Sequence, residues 1–205
     1  MQPFTTLTAI AVPLDEPNID TNQLCPSRFN KIPRGPKYAQ ILFHDQRFNA
    51  DGSQKDFVLN RDEYKNAKII VADRSFGCGS SRETAVYALY EFGIRCVIAT
   101  SFGDIHASNC CMNGILPVVL KDAEAGAIRA QLHAQPGAQI TVDLAAQTVT
   151  DPAGSQYRFE IHPVRKKCLV EGLDEIARTE QYRAKIEDFE NAYRNRLYWI
   201  RPETH

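Results

Sequence analysis

The sequence predicts an α/β fold: a mainly parallel central sheet flanked by helices, followed by a C-terminal helical extension. Three observations predict it. Short apolar runs bounded by polar residues recur at Ala67–Ala72, Cys96–Ala99 and Ile115–Leu120, the mark of buried strands. Segments with helical spacing separate and follow them, and alternating strands and helices build a parallel sheet with covered faces. From Leu173 onward the chain is charged, with apolar residues at helical intervals.

The elements follow in order. Thr5–Val12 reads as a first strand, running into the loop Pro13-Leu14-Asp15-Glu16-Pro17-Asn18. Residues 25–53 are irregular, with Pro26, Pro33, Gly35, Pro36 and the turn Asn49-Ala50-Asp51-Gly52. Long loops of this kind are functional or disordered, and the arginines, lysines and aromatics here favour function. After the strand at 67–72 comes a glycine-rich turn, then a helix over Ser81–Phe92 stopped by Gly93. The strand 96–99, a short helix Asp104–Met112, the turn Asn113-Gly114 and the strand 115–120 continue the alternation. Asp122–Gln135 is a helix ended by Pro136-Gly137. Gln139–Leu144, Thr148–Thr150 and Tyr157–Ile161 alternate apolar and polar residues and read as antiparallel strands added to the sheet. Leu173–Leu197 is helical, with apolar positions at Ile176, Tyr182, Ile186, Phe189 and Tyr193 that pack on this domain or on a partner. A domain of residues 1–171 with a helical extension at 172–205 is therefore expected.

Composition narrows the function. With 43% hydrophobic and 24% charged residues over 205 positions, the chain can bury a core of its own. A net charge of −1 leaves no broad basic footprint, so nucleic acid is not an expected partner. The longest apolar run is six residues, Ala85–Tyr90, against the roughly 20 a membrane span needs. Residues 1–6 show no basic stretch leading into an apolar block, so no secretory leader and a cytoplasmic location are expected. The six cysteines form no Cys-x-x-Cys pair and the five histidines no His-x-x-x-His pair, so no metal site is expected on this chain.

The chemistry centres on Asp73-Arg74-Ser75-Phe76-Gly77-Cys78-Gly79-Ser80-Ser81-Arg82-Glu83, between a buried strand and a helix. In parallel sheets ligands bind at the carboxyl ends of strands, beside helix N-termini. Gly77 and Gly79 let the backbone approach a ligand and present amide groups to an anion. Arg82 adds a permanently charged fork suited to a carboxylate. A dinucleotide fingerprint would need a third glycine at Arg82, a P-loop would need Gly-Lys-Ser/Thr, and a nucleophile elbow would need glycines flanking the serine. Ser80-x-x-Glu83 also has the spacing of a capping box, in which the serine caps the helix. The functional reading is a serine whose oxyanion is stabilised by amides and Arg82 and acts as a general base on a carbon acid.

Phe76-Gly77-Cys78-Gly79-Ser80-Ser81-Arg82-Glu83 resembles the signature of the small subunits of 3-isopropylmalate dehydratase, which are equivalent to the swivelling fourth domain of aconitase. Three further segments carry the resemblance in order: Asn18-Ile19-Asp20-Thr21-Asn22-Gln23 with Pro26; Ser101–Ile105 with Asn109-Cys110 and Asn113–Val118; and Arg165-Lys166-x-Cys168-Leu169-x-x-Gly172-Leu173-Asp174. The resemblance implies a swivelling β/β/α domain. It implies a hydro-lyase that removes water from a 2-alkylmalate and adds it back at the neighbouring carbon. It also implies a [4Fe-4S] cluster held by three cysteines of a separate large subunit, and none bound by this chain. The family's base maps to Ser80. Its substrate-carboxylate residues map to Ser81 and Arg82, with Gly79 in the same seat and Asp20, Asn22 and Cys78 in support.

Departures from the pattern bear on the substrate. Asn22 stands where the family has an aspartate, and Thr84 where it has a histidine. The segment Lys31-Ile32-Pro33-Arg34-Gly35-Pro36-Lys37 replaces the loop that reads the alkyl group. Arg34, twelve residues after Asn22, is either a substrate-carboxylate arginine of the kind aconitases place at similar spacing or a solvated surface group. The expected reaction is the interconversion of 2-isopropylmalate and 3-isopropylmalate in leucine biosynthesis. The alternatives are a hydratase for citramalate or dimethylmalate, or a non-catalytic anion-binding module on the same fold.

Overall fold

The computed structural model describes residues 1–197 and Trp199; residues 198 and 200–205, the end of the expected extension, lie outside the described residues. Seven strands form one sheet in the order β4-β3-β2-β1-β5-β6-β7. They are β1 (Thr6–Leu14), β2 (Ile69–Ala72), β3 (Cys96–Ala99), β4 (Leu116–Val119), β5 (Gln139–Asp143), β6 (Thr148–Thr150) and β7 (Gln156–Arg158). The four from β1 to β4 are parallel, with Ala11 opposite Ile69, Ile69 opposite Cys96 and Cys96 opposite Leu116. On its other edge β1 pairs antiparallel with β5, Ala9 opposite Ile140, and β6 and β7 extend that meander.

β2 and β3 are buried at every position, because helices cover both faces of the parallel half. The strand period of two splits each strand between two cores. Ile70, Ala72, Val97 and Ala99 face one, with α1 (Thr21–Leu24), α2 (Tyr38–Ile41) and α4 (Thr84–Phe92). Ile69, Val71, Cys96 and Ile98 face the other, with α6 (Asp122–Ala134) and, beyond it, Leu169 of α7 (Pro163–Glu171). A further turn of helix, α3 (His44–Arg47), lies in the long loop, and α5 (Asp104–Met112) connects β3 to β4. The chain ends in α8 (Glu175–Glu180) and α9 (Arg183–Arg196). No helix among the described residues is long and apolar enough to cross a membrane.

The expected elements are present, with three differences that have physical causes. β7 is three residues rather than five. Past Arg158 one more in-register bond forms, from the Phe159 amide to Gln147 O, and the partner segment then turns at Gln147, which is left-handed at φ +55°. Helix α7 fills residues with no expected element, although its signals are plain: the ring of His162 accepts from the Val164 amide, Pro163 opens the helix and left-handed Gly172 ends it. Finally, α4 begins at Thr84, not Ser81, and no side chain caps it. The capping box expected between Ser80 and Glu83 is not formed. Glu83 Oε1 instead accepts from Asn113 Nδ2 at 2.9 Å, and the Arg82 amide folds back onto Ser80 O at 2.9 Å.

Candidate active site

The glycine-rich turn leaves the carboxyl end of β2 and is held by main-chain bonds to two other segments of the resemblance. The Gly77 amide donates to Ile19 O (2.7 Å), Thr21 N donates to Cys78 O (3.0 Å) and Asn18 N donates to Arg74 O (2.8 Å). On the opposite side Phe76 N donates to Ser101 O and Gly103 N to Phe76 O, both at 3.0 Å. The Cys78 thiol reaches back to Asn18 O. Segments far apart in sequence thus meet at the ends of β1, β2 and β3, where a parallel sheet places its ligands.

Two contacts make Gly77 of the turn, and Gly103 packed against it, obligatory. Gly77 has φ +70°, and a Cβ there would lie 2.1 Å from Cδ2 of His106. Gly103 has no room either, since its Cβ would stand 2.6 Å from Gly77 O. Gly77→Ala combines a left-handed backbone with a collision against a buried ring. It is expected to cost about 2–5 kcal/mol of stability, read as a lowered urea midpoint.

Beyond Gly79, itself at φ +92°, the chain is open. Gly79, Ser80 and Ser81 are exposed. Neither serine hydroxyl, and none of the three amides at 79–81, has a hydrogen-bond partner among the described residues. This is a set of donors facing solvent, presented by a left-handed glycine turn that stops three residues short of the helix. Arg82 is half-buried, and its Nη1 is buried without a hydrogen-bond partner. The guanidinium lies close enough to Cys25 to oppose the rise that burial imposes on that thiol. Thr21 Oγ1, also buried and unpartnered, is 3.9 Å from where a Gly79 Cβ would be. Exposed hydroxyls and amides without partners, next to an arginine, are groups whose chemistry suits an anion such as a carboxylate.

The supporting residues hold the seat from beneath. The Asp20 carboxylate accepts from the amides of Asn22 and Gln23 at 2.7 and 2.8 Å, and Gln23 Oε1 accepts from the Asp20 amide, closing a capping box on α1. Asp20 thus fixes the start of α1, which the isolated bridge Asp20–Cys78 ties to the turn. The Asn22 side chain is exposed and makes no hydrogen bond among the described residues. Arg34 makes no hydrogen bond to Ser80 or Ser81 among the described residues. Its Nη1 donates to Asn113 Oδ1 at 2.9 Å, its guanidinium lies 4.4 Å from the Tyr87 ring centroid, and Glu91 is 4.0 Å away. It joins the turn indirectly, through Asn113 and Glu83.

Three residues have structural roles here that the sequence did not show: Asn113 and Thr84 entered the functional reading only within the resemblance, and His106 not at all. Asn113 is the buried hub of the Arg34–Asn113–Glu83 chain, hidden behind its turn-forming neighbour Gly114. Thr84 Oγ1 donates to Asn30 Oδ1 at 3.0 Å and ties the long loop to the start of α4. His106 is 3% exposed and both ring nitrogens lack partners. Its position on α5 gives a wedge under Gly77, a role no motif spacing announces.

Burial holds the His106 imidazole neutral, with its pKa pushed down to about 4. Between that value and the ordinary one near 6.5, only the unfolded chain takes up the proton. Stability is therefore complete above about pH 6.5 and falls as the pH drops towards 4, by roughly 2–3 kcal/mol at pH 4.5. Urea unfolding at pH 7.5 and 4.5 checks this, and His106→Phe is expected to remove that part of the acid sensitivity.

Among the described residues no three histidine, cysteine or acidic side chains are placed to hold a metal ion. Cys96, Cys110 and Cys111 are buried, and burial raises all three thiols, that of Cys111 to about 11.

A family model described as the aconitase C-terminal domain matches residues 1–123, and the LeuD_N model matches 127–163. The 3-isopropylmalate dehydratase small subunits of Azorhizobium caulinodans and Rhodopseudomonas palustris are both 44% identical to the chain. They cover 98% and 97% of it and 100% of their own length. The crystal structure of a 3-isopropylmalate dehydratase from Methanocaldococcus jannaschii, 23% identical, covers 90% of this chain and 99% of its own with a TM-score of 0.65, so the fold is shared. The turn, its supporting strands and the match over nearly the whole length give one conclusion: the chain belongs to the small subunits of 3-isopropylmalate dehydratase.

Proposed function

We propose that this chain is the small subunit of an iron–sulfur hydro-lyase that interconverts 2-isopropylmalate and 3-isopropylmalate, active only with a large subunit. The observation that carries the reading is the exposed Gly79-Ser80-Ser81 turn, whose amides and hydroxyls have no partner among the described residues, followed directly by the half-buried Arg82. Ser80 Oγ is the base that takes the proton from the carbon next to the one losing its hydroxyl, leaving the C=C double bond of the unsaturated diacid, and it returns a proton when water adds back. Its oxyanion is held by the neighbouring amides and by Arg82. Ser81 and Arg82 receive a substrate carboxylate, and Arg82 offers it two parallel N–H donors. Asp20 and Cys78 keep the turn at its angle. Arg34 contributes through Asn113 and Glu83 to the pose of the same turn.

A serine oxyanion needs a dry, positive pocket, and this chain supplies one wall of it. The large subunit closes the other side and holds the [4Fe-4S] cluster, whose Lewis acidity assists loss of the hydroxyl. The names of relatives at 44% identity favour isopropylmalate over citramalate or dimethylmalate. The test is co-expression with the cognate large subunit and assay of hydration across isopropylmaleate, citraconate and dimethylmaleate. Fastest turnover on isopropylmaleate supports the assignment. Preference for another unsaturated diacid moves it to that substrate, and inactivity on all three removes it.

A further inference from the structure

We propose that Asn113 is a positioning residue of the reaction: it holds the Glu83 carboxylate away from Ser80, so that the capping box these two residues are spaced to close stays open and the serine hydroxyl and amide are left for the substrate. The inference rests on the functional reading above and adds to it the residue that keeps the base available.

Two arrangements compete at the start of α4. Ser80-x-x-Glu83 has the spacing of a capping box, in which the serine hydroxyl accepts from the Glu83 amide and the glutamate reaches back to the Ser80 amide. The backbone is near that arrangement, since Glu83 is right-handed helical at φ −69° and ψ −24° and the Arg82 amide donates to Ser80 O. Closing the box engages both Ser80 groups that the proposed chemistry uses. Yet no side chain caps α4, and the Ser80 amide has no partner among the described residues.

Asn113, which ends α5, opposes closure. It is 5% exposed and makes three side-chain bonds of 2.9 Å. Its Oδ1 accepts from Arg34 Nη1, and its Nδ2 donates to Glu83 Oε1 and to Asn109 O. Only one orientation of the amide suits all three partners, because a guanidinium can only donate while a carboxylate and a peptide carbonyl can only accept. Arg34, over the Tyr87 ring at 4.4 Å, therefore selects the end of the amide that Asn113 turns to Glu83. The Tyr87 phenol stands by the same carboxylate, and burial and Glu83 both raise its pKa. Releasing Glu83 leaves one N–H of a buried amide unpaired, which opposes the closed box.

The experiment compares wild type, Asn113→Asp, Glu83→Ala and the double variant near neutral pH, where both carboxylates are ionised. Aspartate keeps the shape of asparagine and still accepts from Arg34, but it meets Glu83 as a like charge. In the full-length chain, hydrogen exchange at the Ser80 amide, measured by NMR, is expected to slow at least about 10-fold in Asn113→Asp and to return to the Glu83→Ala rate in the double variant. In the pair with the large subunit, acting on isopropylmaleate, Asn113→Asp is expected to lower kcat at least about 10-fold with KM changed less than about 3-fold, and to cost less than about 2-fold once Glu83 is alanine. Thermal midpoints report folding. Asn113→Ala, which buries no charge, is run in the same two backgrounds, and the same pattern is expected. Equal losses with and without Glu83 make Asn113 merely structural and overturn the proposal. An unchanged Ser80 amide, an unchanged kcat, or the failure of both Asn113 variants to fold also overturns it. An inactive wild-type pair whose exchange pattern is as expected overturns the hydro-lyase reading alone.

Discussion

Ser80→Ala is expected to leave the chain folded and bound to its partner while turnover drops at least about 10²-fold, and as much as about 10⁴-fold. The drop should fall on kcat, with KM little changed, because the hydroxyl acts on a proton in flight and not on the carboxylates that anchor the substrate. The structural side of the expectation is equally definite. Ser80 is exposed, caps no helix and makes no hydrogen bond through its side chain, so its removal should change stability by less than about 0.5 kcal/mol. Had the serine been the cap of α4, the same substitution would cost about 1 kcal/mol. Single-turnover kinetics on the reconstituted pair, with a melting curve of the isolated chain, therefore separate a catalytic hydroxyl from a structural one. Wild-type turnover in the alanine variant would remove Ser80 as the base.

Arg82→Lys is expected to lower kcat/KM by roughly 10- to 100-fold, the scale of one lost hydrogen bond to a charged group. The charge survives, but the planar fork does not. Nη1 is buried without a protein partner, and Arg82 as a residue is half-buried, so the guanidinium has hydrogen-bonding capacity that the chain itself does not use. A lysine ammonium cannot fill that position and address the same carboxylate with two donors. The loss should appear mainly in KM, opposite to Ser80→Ala. Steady-state kinetics on the two variants side by side check the pattern. Equal effects on kcat and KM in both would mean that the two residues do not divide the work between proton and carboxylate.

The regular half of the fold was plain in the sequence because its signals are local. Buried runs such as Ile69–Ala72 and Cys96–Ala99 and the stop at Gly93 require no knowledge of their neighbours. The start of α4 was not legible for the same reason. Ser80-x-x-Glu83 has the capping spacing, but Asn113, thirty residues away, takes the glutamate. The seat itself was readable as residue types, and its donors were expected from the first turn of a helix. They come instead from the left-handed turn at Gly77 and Gly79, a backbone geometry that the glycines permit but do not announce. His106 and Arg34 mark the boundary of sequence reasoning. The ring under Gly77 and the guanidinium on Tyr87 are consequences of packing between elements that no motif joins.

The bonds that suspend residues 74–78 from Asn18–Thr21 and Ser101–Gly103 run almost wholly between peptide groups, which every amino acid except proline carries in the same form. Apart from Gly77 and Gly103, residues of the suspended strip can vary over generations without tilting the Ser80–Ser81 turn. Diversification of what the pair accepts can proceed in the neighbouring loop at 25–53, while the cradle keeps its shape.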